Sequence, residues 1–123
     1  MTPFGERLRA LRAERGTSLK AMAAALGVSA TYLSALEHGR RGPPPFHVVQ
    51  RALAYFNIIW DEADDLRRLA ELSNPRVTVD TAGLAPAHTR LANRLAETID
   101  RLPDSDAQAL LTALEERVAA RDS

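Results

Sequence analysis

Cysteine is absent from the 123-residue chain, which excludes a disulfide framework and thiolate metal sites. That absence suits a reducing compartment. Aromatic residues are scarce, at 5% of the chain, while 46% of residues are hydrophobic. Leucine and alanine must therefore supply most of any core, and both favour helix over sheet. No run approaches the roughly 18 apolar residues of a membrane span. The opening Met1-Thr2-Pro3-Phe4-Gly5-Glu6 has neither the basic nor the apolar region of a secretory signal. A cytoplasmic protein without a membrane anchor is expected. The length fits one domain, or a small domain with an appendage.

Net charge is missing too, because 16 basic residues balance 16 acidic ones. The zero hides an asymmetry. Residues 1–60 carry eight basic side chains (Arg7, Arg9, Arg12, Arg15, Lys20, Arg40, Arg41, Arg51) against three acids (Glu6, Glu14, Glu37), leaving that half about +5 and the rest about −5. A basic half of this kind suggests a polyanionic partner, although solvated helix faces produce the same count. Acids are plentiful, yet none stands with a histidine, serine or metal-ligand set at catalytic spacing. No enzyme, cofactor or metal is expected, and His47 and His88 are assigned structural places.

Local signals divide the chain into helices. Thr2-Pro3 is a cap followed by a proline at the first helical position, and Phe4, Leu8 and Leu11 recur at helical spacing until Gly16. Thr17 or Ser18 caps a second helix with Leu19, Met22, Ala23 and Leu26 inward, ended by Gly27. Ser29 caps a third, with Leu33 and Leu36 inward and Gly39 as its stop. Arg40-Arg41-Gly42-Pro43-Pro44-Pro45 cannot be helical. Pro44 or Pro45 opens a fourth helix carrying Phe46, Val49, Leu53 and Phe56. A fifth begins at Trp60-Asp61, with Ala63, Leu66, Leu69 and Leu72 inside and acids in its first turn, where the helix dipole favours them.

Val77-Thr78-Val79-Asp80-Thr81 alternates and is β-branched, as a short strand, an extended arm or an ordered loop would be. A sixth helix is expected from Pro86 to Leu102 with a stripe of Leu91, Leu95, Ile99 and Leu102. After a turn at Pro103-Asp104, a seventh starts at a Ser105-x-x-Gln108 capping box and carries Leu110, Leu111, Leu114 and Val118.

The second and third helices meet through Gly27-Val28-Ser29 alone. Glycine permits the bend, Val28 fills the angle and Ser29 caps the next helix. A bend this tight makes the helices cross steeply and projects the third outward. Here the chain resembles the lambda-repressor-like helix-turn-helix family, the Cro/CI or xenobiotic-response-element type. The matching pieces are Leu8-Arg9-x-Leu11-Arg12, Met22-Ala23-x-x-Leu26-Gly27-Val28-Ser29, Leu33-Ser34-x-x-Glu37-x-Gly39-x-Arg41, and the apolar spacing from Phe46 to Phe56. They span residues 4–60, about half the chain.

The resemblance implies a five-helix DNA-binding domain, placed over residues 1–74; with the patterns read after it, a linker or arm over 75–85 and a helical hairpin over 86–123, the expected fold is all-α. The resemblance implies an internal ion pair between Arg12 and Glu37. It also implies that Ala30, Thr31, Tyr32, Ser34 and Ala35 face the groove, and that Ser29 holds a phosphate. Tyr32 is equally suited to packing beside the second helix. The family often places a glutamine near the start of its second helix, but here that position is Leu19, so Ser18 and Lys20 stand in for it. The third helix likewise lacks the Gln, Asn or Arg that makes bidentate base contacts. Each lost pair forgoes about 1–3 kcal/mol of discrimination. Arg40 and Arg41 are then expected to grip phosphates or enter a minor groove, with His38 near a phosphate.

The acidic second half is not expected to touch DNA. Leu91, Leu95, Ile99, Leu110, Leu114 and Val118 are its candidates for homodimerisation. The expected function is a sequence-specific regulator of transcription, a repressor acting as a dimer on a near-palindromic double-stranded operator. The alternative is an antitoxin or adaptor whose second half binds another protein.

Overall fold

The computed structural model describes residues 1–122. These form seven α-helices and one 3-10 turn, with no strand among the described residues. No single helix among them is long and apolar enough to cross a membrane. The chain divides into two compact units, Met1–Val77 and the stretch from Thr78 onward.

In the first unit, α1 (Pro3–Arg15) is capped by Thr2, whose hydroxyl accepts from the Gly5 amide at 3.2 Å, and it ends at left-handed Gly16. The next helix, α2 (Leu19–Leu26), is capped by Ser18 and stops at Gly27, again left-handed at φ 72°. Ser29 caps α3 (Ala30–Glu37), which is followed by α4 (Phe46–Tyr55) and α5 (Trp60–Glu71). α1 packs on α3 and α5, α2 on α3 and α4, and α4 on α5. Their inward faces merge into one core of Phe4, Leu8, Leu11, Met22, Leu26, Leu33, Leu36, Val49, Leu53, Phe56 and Leu66, with small residues such as Ala52 and Ala63 between them.

Two apolar residues expected inside are not. Phe46 is 70% exposed. The buried face of α4 is Val48, Val49, Ala52 and Leu53, and Phe46 lies in the first turn on the flank of that stripe. Leu72 is 54% exposed because α5 stops at Glu71 and the chain turns Ser73 inward instead. The Ser73 hydroxyl accepts from the Phe4 amide at 2.9 Å, tying the start of α1 to the end of α5.

Where the first unit gives way to the second, Val77-Thr78-Val79-Asp80-Thr81 forms no strand, and Val77 and Val79 are exposed. Thr81 and Thr89 share a 2.8 Å hydroxyl hydrogen bond that joins this segment to α6 (Pro86–Thr98). A 3-10 turn (Ile99–Arg101) follows, then α7 (Asp104–Asp122). α7 opens two residues earlier than the capping box implied, with Pro103 rather than Ser105 in the cap position. Gln108 does not reach back to Ser105. Its amide donates to the Asp104 carboxylate at 2.6 Å, while the Pro103 carbonyl accepts from Asp106 and Ala107. Neither α6 nor α7 buries a residue in the single chain.

Candidate nucleic-acid interface

The axes of α2 and α3 cross at 105°. Three contacts, none of them on the outward face of α3, fix that angle. At the bend, the Val28 amide bonds back to the Ala23 carbonyl at 3.0 Å, and Val28 packs on the core. Arg51 of α4 reaches over the bend and donates to the Leu26 carbonyl at 3.0 Å. A Cβ on Gly27 would meet only that guanidinium, the flexible end of a side chain, so it is the left-handed backbone that favours glycine there. Periodicity gave no sign of Arg51, which carries an ordinary solvent-side cation in sequence.

At the far end of α3, Glu37 is 1% exposed. Arg12 meets it in a two-pronged pair, Nε to Oε2 at 3.0 Å and Nη2 to Oε1 at 3.1 Å. The Glu37 hydrogen bond pushes the Arg12 guanidinium further above its ordinary pKa, against the opposing effect of burial. Beside this pair, Gly5 lets α1 touch the end of α3. A Cβ on Gly5 would lie 2.5 Å from the Leu36 carbonyl oxygen and 2.8 Å from that of Glu37. A third arginine is also committed inward, since Arg15 donates to the Phe56 carbonyl at 2.6 Å.

With α3 so held, its outward side is a strip of small groups. Ala30 and Thr31 are exposed, and Ser34 and Ala35 are half-buried. The Ser18 and Ser29 hydroxyls accept from the Ala21 and Tyr32 amides, each at 3.0 Å, which leaves each O–H proton free to donate. Lys20 and Arg40 are exposed and form no ion pair among the described residues. His38 is exposed, with Nδ1 2.7 Å from the Ser34 carbonyl.

Tyr32 and Arg41 behave differently from their neighbours. Tyr32 is half-buried and packs against the core. The Arg41 guanidinium lies over its ring, 5.7 Å from the centroid. Burial raises the Tyr32 hydroxyl pKa, and Arg41 partly opposes the rise. The two loop arginines therefore do not form a matched pair: Arg41 is folded onto α3, and Arg40 is not.

In the second unit, the expected dimerisation residues Leu91, Leu95, Ile99, Leu110, Leu114 and Val118 are each at least 42% exposed, with Leu91 the most open at 68%. Leu111 adds to them at 55%.

Comparison with known proteins places this geometry. The helix-turn-helix domain family matches residues 3–69. The HTH-type transcriptional repressor RghR of Bacillus subtilis is 50% identical over 44 residues, covering 36% of this chain and 33% of that protein. The uncharacterized HTH-type transcriptional regulator RghRB of the same organism is 31% identical over 61 residues, covering 50% and 44%. The chain thus spans less than half the length of the curated relatives it matches. A chain of the SinR protein/SinI protein complex aligns over 94% of this chain and 98% of its own length, at 21% identity and a TM-score of 0.45. With a family match over more than half its length and a steeply crossed α2–α3 pair, the chain belongs to the helix-turn-helix domain family, in its lambda-repressor-like (Cro/CI) type.

Proposed function

We propose that this chain is a sequence-specific transcriptional repressor that binds double-stranded DNA as a dimer, with α3 in the major groove. The observation that carries the reading is the 105° crossing of α2 and α3, joined to the small side chains that α3 carries at Ala30, Thr31, Ser34 and Ala35. Small side chains let the helix backbone approach base edges closely. Ala30, Ala35 and the Thr31 methyl suit thymine methyls, and the Thr31 and Ser34 hydroxyls suit base-edge hydrogen bonds. Ser18, Ser29 and His38 flank that face as phosphate contacts, and Lys20 and Arg40 supply unpaired cations.

Phosphate contacts release counterions, so each contributes about 0.9 to the slope of log affinity against log salt. The Lys20→Ala/Arg40→Ala chain is expected to bind specific and random duplexes more weakly, with a slope shallower by about 2. Fluorescence anisotropy across a salt series measures this directly. An unchanged slope refutes the phosphate assignment.

Dimerisation is assigned to the second unit, where α6 and α7 expose apolar stripes that a single chain does not bury. A second copy covering Leu91, Leu95, Ile99, Leu110, Leu114 and Val118 removes that area from water, at roughly 25 cal/mol per Å². Leu95→Glu/Leu114→Glu is expected to sediment as a monomer. It should lose 10-fold or more in affinity for two-half-site DNA while keeping its affinity for one half-site. A wild-type chain that stays monomeric at micromolar concentration, with and without DNA, assigns the stripe to a different protein and favours the adaptor or antitoxin reading.

A further inference from the structure

The outward side of α3 has no side chain able to make a two-pronged hydrogen bond with a base, yet such a donor stands beside it. Arg41 belongs to the loop after α3, but its guanidinium lies over the ring of Tyr32, a first-turn residue of the helix. The ring is held in turn by its packing on the core, and the Tyr32 amide is fixed by Ser29. The first turn is the part of a helix-turn-helix reading helix that meets base edges. A guanidinium held over an aromatic ring by a cation–π contact is localised beside the helix and still has N–H groups to donate in pairs. Such a pair matches the O6/N7 acceptors of guanine.

We infer that Arg41 is the chain's principal base-reading donor, directed at a guanine in the major groove, and that Tyr32 is the positioning residue that carries it there. The inference rests on the DNA-binding reading above and deepens it, because it names the base. It also separates the two loop arginines: Arg40 contributes charge, and Arg41 contributes discrimination. The cation–π contact limits the side-chain entropy that an arginine otherwise loses on ordering at an interface.

The test is selection of duplexes from a random pool by the full chain, run in parallel for wild type, Arg41→Ala, Arg41→Lys, Tyr32→Phe and Tyr32→Leu, with circular dichroism confirming that each is folded. Wild type and Tyr32→Phe, which keeps the aromatic face, are expected to enrich a guanine at one position of each half-site. Arg41→Ala, Arg41→Lys and Tyr32→Leu are expected to accept any base there while keeping the rest of the site. Replacing that guanine with 7-deazaguanine should weaken wild-type binding about 10-fold and leave Arg41→Ala unchanged. If Tyr32→Leu does not fold, the Arg41→Lys and Tyr32→Phe selections still decide the matter, since lysine retains charge without the fork.

A preserved guanine preference in Arg41→Ala, with weaker binding on all sequences alike, overturns the inference in favour of a phosphate contact and leaves the DNA-binding reading standing. A preference kept by Tyr32→Leu removes Tyr32 from the account. A wild-type chain that enriches no sequence overturns both the inference and the proposed function.

Discussion

Replacing Arg12 with methionine is expected to cost the first unit about 3 kcal/mol, the low end of what breaking a buried ion pair costs. Glu37 would remain within the core, its carboxylate stripped of both hydrogen bonds. The Arg12 side chain is itself 25% exposed, so water entering the vacated space offsets part of the loss. For a unit of this size the midpoint of thermal unfolding should fall by about 15 °C. Denaturant unfolding followed by circular dichroism gives the free energy. The Arg12→Met/Glu37→Met chain should be damaged less than the single variant, because no unpaired charge is left inside. A single-variant loss under 1 kcal/mol would mean that solvent already screens the pair.

Gly5→Ala should destabilise the same unit by about 3 kcal/mol, at the upper end of overpacking costs. Helix propensity alone gives the opposite sign, since alanine in a helix interior is better than glycine by about 0.5–1 kcal/mol. Packing decides here because both atoms that the new Cβ would meet, the Leu36 and Glu37 carbonyl oxygens, are backbone and cannot rotate away. α1 and the end of α3 must separate, so DNA affinity should fall together with stability. Gly42→Ala is the control, as a Cβ at Gly42 meets nothing within 4 Å. Equal stability of Gly5→Ala and wild type would show that α1 can lift from α3 at little cost.

Much of the first unit was legible because its signals are local. Thr2, Ser18 and Ser29 each bond an amide three residues on, and Gly16 and Gly27 each adopt the left-handed backbone that ends a helix. Such features are written within one turn of chain. Phe46 and Leu72 misled because apolar spacing continues past the point where a facing surface ends. What stayed hidden has partners far away along the chain. Arg51 bonds a carbonyl 25 residues earlier, Arg15 one 41 residues later, and Ser73 an amide 69 residues earlier. Periodicity tells which way a side chain faces, not what it will meet.

The same limit applied to the candidate interface. Residue type marked Arg40 and Arg41 as equivalent cations, and only the fold around Tyr32 distinguishes them. In the second unit the stripes were readable as stripes, but their exposure in a single chain is a property of the fold.

The division of labour on α3 has a consequence for how such a protein can change. Its seating depends on Gly5, Arg12, Leu33, Leu36 and Glu37, whereas Ala30 and Thr31 support nothing beneath them. Surface substitutions away from caps and buried groups usually shift stability by no more than about 0.5 kcal/mol. Ala30 and Thr31 can therefore be exchanged, by drift or by an engineer, without first repairing the scaffold. New target preferences can accumulate along a series of folded intermediates.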